Sequence, residues 1–176
     1  MQETPEVLVL NNIGGGFGTV LVERLPLINE TVMMKAMEPP GEDIAKGGNA
    51  AVALARLGIH AAIIGKIGND PRGNLDWKWM HEAGVDLSVL IRSDDVRTGQ
   101  GLGILADNGD VMNITGISSS YALTFEEVEA ALLRYQKAKY FLCGFEVRPS
   151  LVLPAAEKAK ALGMQTMLNP SPVPSE

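Results

Sequence analysis

The 176-residue chain has one cysteine, few aromatic residues and no run of basic residues. The single cysteine, Cys143, excludes an internal disulfide and is typical of a reducing cytoplasm. A formal charge of −6 without a Lys/Arg cluster argues against a surface for nucleic acids. No apolar run approaches the roughly 18 residues that span a membrane, and acids stand where a signal peptide needs cations. We therefore expect a soluble, cytoplasmic protein whose partners include neither nucleic acids nor membranes.

Hydrophobic residues make up 46% of the chain and charged residues 20%, as in ordinary folded domains. Short apolar runs predict buried strands at 7–10, 61–65, 140–143 and 165–168, and a further strand is predicted at 85–92. Helix-forming segments with suitable start and stop residues predict helices at about 49–57, 72–83, 124–137 and 151–162. This alternation of strand and helix predicts an α/β fold, with a mostly parallel sheet flanked by helices.

Two stretches, at about 19–37 and 98–115, break the alternation because both contain short β-like segments. Within the second stretch, Asn108-Gly109 lies between two apolar runs, which is a strong signal for a β-hairpin. We expect the two stretches to form a small second sheet, a lid, over one edge of the main domain.

The first glycine-rich site, Gly14 to Gly18, follows the first predicted strand. A dinucleotide-binding loop would place such glycines at the start of a helix, and that interpretation would make the protein an oxidoreductase. The next residues, TVLVERLP, alternate like a strand and end in a proline. A glycine turn that admits close approach of a ligand or a neighbouring strand is therefore favoured.

The second glycine site, Lys46-Gly47-Gly48-Asn49, directly precedes an alanine-rich helix. Glycines let a ligand reach the backbone, and the free N–H groups of a helix start can donate hydrogen bonds. Asn49 is predicted either to cap the helix or to present its amide to a polyhydroxylated ligand. A tight helix entry without a ligand remains the structural alternative.

The second glycine site belongs to a series of motifs that extends from residue 47 to residue 170. They are Gly47-Gly48-Asn49, the run ALARLG, Ile67-Gly68-Asn69-Asp70 with Gly73, Ala83-Gly84-Val85-Asp86, Thr98-Gly99, Glu146 and Leu168-Asn169-Pro170. In this combination the sequence resembles the ribokinase, or PfkB, family of carbohydrate kinases.

The resemblance implies a ribokinase-like α/β fold in which a small β lid covers a sugar site. It implies phosphorylation of a primary hydroxyl of a sugar, nucleoside or related alcohol, with ATP and Mg²⁺ as cofactors. By the same match, Gly47, Gly48, Asn49 and Glu146 are candidate substrate-binding residues, and Asn169 is a candidate nucleotide-binding residue. The family often pairs its lids, so a homodimer is expected. Ser118 lies outside the matched motifs and is expected to be neutral.

The sequence also departs from the family pattern at two places. The family usually has an Asp after the first strand that binds two sugar hydroxyls, where this chain has Gly14 to Gly16. A Gly-Ala-Gly-Asp motif, which in the family supplies the anion hole and the catalytic base, does not occur here.

We therefore interpret residues 1–176 as the N-terminal part of one ribokinase-like domain, with no catalytic residue of its own. The 176 residues alone are expected to be inactive. The alternative is a short paralogue that binds a sugar or regulates a partner, and the reading frame beyond residue 176 would discriminate the two.

Overall fold

The computed structural model describes residues 4–39 and 41–173, which form two sheets and four α-helices. The strands are β1 (Val7–Leu10), β2 (Gly14–Val22), β3 (Met34–Glu38), β4 (Ala61–Gly68), β5 (Leu90–Ser93), β6 (Gly99–Ala106), β7 (Val111–Thr115), β8 (Tyr140–Gly144) and β9 (Gln165–Asn169). The helices are α1 (Ala45–Arg56), α2 (Pro71–Glu82), α3 (Phe125–Arg134) and α4 (Pro149–Ala161), and a short 3₁₀ helix spans Ser119–Ala122.

The larger sheet has the strand order β5-β4-β1-β8-β9, and all neighbouring strands are parallel. Every residue of β1 and β4 is buried, as the continuous apolar runs predict. Leu8 and Leu10 pack with α3 and α4 on one face, whereas Val7 and Val9 pack with α1 and α2 on the other. The predicted α/β fold, with a parallel sheet between helices, is confirmed.

The smaller sheet, the lid, has the order β3-β2-β6-β7. β2 and β6 are parallel, and the outer strands pair antiparallel to them. The glycine-rich residues from Gly14 onward lie in β2 itself, so the strand begins earlier than residue 19. Because no helix follows these glycines, the dinucleotide-binding interpretation is wrong.

Helix α1 begins at Ala45, four residues before the predicted start, and Ile44 is its N-cap residue. The prediction that Asn49 caps the helix is therefore wrong. Glycines disfavour helix interiors, which is why the sequence suggested a later start, but close packing at Gly47 and Gly48 requires them. The strand predicted from Val85 is also shorter than expected and begins only at Leu90.

Local signals were reliable where a side chain closes a helix end. Thr124 accepts a hydrogen bond from the Glu127 amide, and the Glu127 carboxylate accepts one from the Thr124 amide. This is the predicted capping box at the start of α3.

Among the described residues, no helix has the length and apolar character needed to cross a bilayer.

Candidate functional site

A crevice of about 180 Å³ separates the lid from the carboxyl ends of the parallel strands. Its lid wall is mostly backbone and includes Gly14, Gly15, Gly99, Gln100, Gly101 and Thr115. Its opposite wall carries most of the polar side chains: Asn12, Asp43, Lys46, Asn49 and Glu146. Ligands of open parallel sheets bind at this end of the strands, so the position itself indicates a binding site.

Gly47 and Gly48 set the close approach of α1 to the end of β1. The Gly47 amide donates a hydrogen bond to the Asn12 carbonyl at 3.1 Å, and a Cβ at Gly47 would overlap that carbonyl oxygen. A Cβ at Gly48 would lie 2.5 Å from the Ile44 side chain. Both glycines are buried and neither lines the crevice. Their packing role is clear, whereas direct contact with a substrate stays a prediction.

Asn49 lines the crevice and fixes the loop before α1. Its Nδ2 donates to Asp43 Oδ1 at 2.6 Å, and its Oδ1 accepts from the Ile44 amide at 2.9 Å. The side chain therefore folds back over the helix start from within the first turns. In this arrangement Asn49 positions Asp43, and its binding to a sugar stays a prediction.

Glu146 follows β8 and lines the same crevice. Its Oε1 lies 2.6 Å from Lys46 Nζ, and Lys46 also donates to Ser171 Oγ at 3.1 Å. The other carboxylate oxygen, Oε2, is buried without a hydrogen-bond partner. An unpaired buried acceptor costs about 1–3 kcal/mol, so a donor supplied by a ligand would be stabilising here.

Asp43 is held from both its side chain and its backbone. Besides Asn49, the Ala45 amide donates to Oδ1 at 3.2 Å, and Arg72 Nη2 donates to the Asp43 carbonyl at 2.5 Å. Ala45 has φ of +58°, a left-handed conformation that a non-glycine residue adopts at some cost. The loop is thus fixed in a defined and slightly strained shape.

The Arg72 guanidinium rests on a buried carboxylate. Its Nη2 lies 2.8 Å from Oδ1 of Asp76, and its Cζ lies 5.3 Å from the ring centroid of Trp79. Asp76 is fully buried, and neither of its oxygens has a well-aligned hydrogen bond. Burial raises the pKa of Asp76 to about 6, against the opposing attraction of Arg72.

Two glycines of the lid wall, Gly14 and Gly15, leave no space for a side chain. Gly14 has φ of +91°, and a Cβ there would lie 2.8 Å from the Gly99 carbonyl oxygen and 2.9 Å from Thr98 Cγ2. Gly15 has φ of +148°, and its Cβ would lie 3.2 Å from that of Ala45. An acidic side chain at position 14 or 15 is therefore incompatible with this backbone.

Asn12, Asp43 and Gln100 also line the crevice and were not predicted as site residues, and Lys46, part of the second glycine site, had been given no role. Asn12 had a usable signal, because it lies two residues beyond the end of the central strand β1. Asp43 and Gln100 had none, since only the tertiary fold brings their segments together. Ser118, expected to be neutral, also lines the crevice, and its Oγ donates to the Ile13 carbonyl at 3.2 Å.

Asn169 ends β9 beside Gly144, is exposed and does not line the crevice. The described residues contain no group of three or more His, Cys, Asp or Glu side chains that could hold a metal ion. The described residues do not by themselves provide a site for Mg²⁺, and nucleotide binding by Asn169 stays a prediction.

Comparisons with known proteins identify the relatives of this arrangement. The model of the pfkB family carbohydrate kinases matches residues 46–174. The ribokinase of Mus musculus is 29% identical over 157 residues, which cover 86% of this chain and 46% of that protein. The ribokinase of Staphylococcus aureus is 30% identical over 128 residues, which cover 72% of this chain and 42% of that protein.

Solved structures agree with the fold. The crystal structure of Sa239 has a TM-score of 0.85 at 26% identity, covering 97% of this chain and 56% of that one. Arabidopsis thaliana ribokinase, complexed with ribose and ATP, has a TM-score of 0.74 at 22% identity and is covered to 53%. This chain thus spans roughly half the length of these relatives or less. The family model covers most of the chain, so the chain belongs to the pfkB family of carbohydrate kinases.

Proposed function

We propose that this chain supplies the sugar-binding side of an enzyme that phosphorylates a sugar or sugar-like alcohol with ATP. The observation that carries the proposal is the Glu146 carboxylate, which is fixed by Lys46 and retains one unpaired, buried oxygen beside the crevice. Membership of the pfkB family supports the reaction class, and the names of the relatives, ribokinases and fructokinases among them, support a sugar as substrate.

The chemistry assigned to these residues is binding and orientation. Carboxylate oxygens of Glu146 and Asp43 accept hydrogen bonds from hydroxyls, and the Asn12 amide can both donate and accept. Fixing several hydroxyls at once orients the remaining one for attack, which accounts for a large part of the rate in transfer reactions. No described residue is assigned the base or the stabilisation of the transferred phosphoryl group.

The size of the crevice supports a small substrate. Sites for drug-sized ligands enclose about 300–1,000 Å³, whereas this crevice encloses about 180 Å³. A monosaccharide suits that volume better than a nucleoside does.

The proposal is tested with the product of the complete reading frame, purified and incubated with ATP, Mg²⁺ and a set of monosaccharides. Sugar-dependent ADP release, with a phosphorylated sugar detected by mass spectrometry, is expected for at least one of them. Sugar binding without any turnover would instead favour the second candidate, a sugar-binding or regulatory paralogue.

A homodimer formed through the lid is also part of the proposal. Every residue of the outer strands β3 and β7 is exposed, including the apolar Met34, Met37, Val111 and Ile114. Exposed strand edges and apolar faces favour association with another copy. Light scattering on the protein and on a Met37→Lys/Ile114→Lys variant tests this, since the variant is expected to be monomeric.

Cytoplasmic location is supported by the single free cysteine, Cys143.

A further inference from the structure

We infer that Asp43 is the residue that selects the substrate, and that it favours an uncharged sugar over a sugar phosphate. The inference rests on the proposed function. It adds a specificity determinant that no sequence motif indicated, on a segment that the tertiary fold brings to the crevice.

The two walls of the crevice differ in the acidic side chains that they can carry. On the lid wall, side chains are excluded at Gly14 and Gly15 by positive φ angles and by neighbouring atoms. Selective hydrogen bonds from acidic groups must therefore come from the opposite wall, where Asp43 and Glu146 are the carboxylates that line the crevice. Glu146 already forms an ion pair with Lys46. Asp43 forms no ion pair with a Lys, Arg or His side chain of the described residues.

Asp43 is also held in place before any ligand binds. Its Oδ1 accepts from Asn49 Nδ2 and from the Ala45 amide, and its carbonyl accepts from Arg72. Its Oδ2 has no hydrogen-bond partner within the described parts of the chain. A carboxylate with one oxygen fixed and the other open can accept a hydroxyl hydrogen with little loss of side-chain entropy.

The formal charge of the crevice also favours a neutral ligand. Two acidic residues, Asp43 and Glu146, and one basic residue, Lys46, line it. The crevice is thus negative by one charge, which opposes a phosphorylated ligand. One relative of this chain is an ATP-dependent ribose-1-phosphate kinase from Halopiger xanaduensis, at 26% identity, so the two substrate classes are real alternatives.

The test compares kinetic constants of the complete protein and three variants. KM and kcat are measured for the preferred sugar with ATP, and Ki is measured for a sugar phosphate that keeps the primary hydroxyl free, for example D-ribose 1-phosphate when D-ribose is the preferred sugar. Asp43→Asn removes the charge at constant size. Asp43→Glu keeps the charge but moves it. Glu42→Gln is the matched control, because it removes one negative charge from an adjacent, exposed residue that does not line the crevice.

For Asp43→Asn we expect the sugar KM to rise about 10-fold or more, the KM for ATP to stay within about twofold, and the sugar phosphate to bind several-fold more tightly. Asp43→Glu is expected to raise the sugar KM while the sugar phosphate still binds weakly. Glu42→Gln is expected to match the wild type in all three constants.

An unchanged sugar KM in Asp43→Asn, at a wild-type melting temperature, would overturn the inference while leaving the proposed function intact. If Asp43→Asn does not fold, the wild-type constants test the inference instead. A sugar phosphate that binds the wild-type protein as tightly as the free sugar does would also overturn it. A wild-type protein without sugar-dependent ADP release would refute the proposed function itself, which separates the two failures.

Discussion

The parallel sheet and the lid differ in how they use their side chains. All eight residues of β4 are buried between helices, whereas all five residues of β7 are exposed. In the crevice the roles differ again, since the parallel layer contributes most of the polar side chains and the lid contributes mainly glycine backbone. From this difference we expect most of the stability, and the proposed substrate recognition, to reside in the parallel layer, with the lid covering the crevice.

The largest difference in stability is expected when the same Leu→Ala change is made in each of the two sheets. Leu8 is fully buried in β1, whereas Leu105 in β6 is 37% exposed. Leu8→Ala is expected to lower the free energy of unfolding by about 2–5 kcal/mol, since it leaves a cavity. Leu105→Ala is expected to cost about 1 kcal/mol or less. Urea unfolding measures both, and equal losses would show that the lid is as important to stability as the parallel layer.

A smaller effect is expected where the parallel layer meets the crevice. Gly47→Ala would place a methyl group against the Asn12 carbonyl, so α1 must shift away from β1. We expect a loss of about 1–3 kcal/mol in stability, which is typical of overpacking. Gly41→Ala is the control, because nothing lies within 4 Å of a Cβ at that position. A Gly47→Ala protein as stable as this control would contradict the packing role of Gly47.

The smallest expected effect concerns the buried support of the Asp43 loop. The pKa of Asp76 is raised to about 6, so the folded state holds the proton more tightly than the unfolded state does. Between pH 7.5 and pH 5 the wild type should therefore gain roughly 1 kcal/mol of stability relative to Asp76→Asn. Urea unfolding of both proteins at the two pH values measures this difference. A difference independent of pH would mean that the pKa of Asp76 is not raised.

The sequence predicted the parallel layer well because continuous apolar strands and helix end signals are local properties. The buried strand β1 and the Thr124–Glu127 capping box both follow from a few neighbouring residues. The start of α1 was misplaced, because Gly47 and Gly48 disfavour a helix locally and are required only by contacts with Asn12 and Ile44. Tertiary packing decided that boundary.

The candidate site was predicted less completely, for the same physical reason. Asn49 and Glu146, chosen by resemblance, do line one crevice. Asp43 belongs to a segment without a motif, and its position depends on Arg72 in α2, 29 residues along the chain. Interactions of this kind leave no periodic signal in a single sequence.

We propose that the parallel layer binds the sugar mainly through Glu146, which follows strand β8. The most direct test of this claim is the sugar KM of Glu146→Ala in the complete protein, beside Glu157→Ala, a change at an exposed residue of α4. Loss of a hydrogen bond to a charged group is worth about 1.5–3 kcal/mol. We therefore predict a rise in the sugar KM of roughly 10- to 100-fold for Glu146→Ala, with the KM for ATP unchanged and no effect of Glu157→Ala. A folded Glu146→Ala protein with the wild-type sugar KM would contradict the claim.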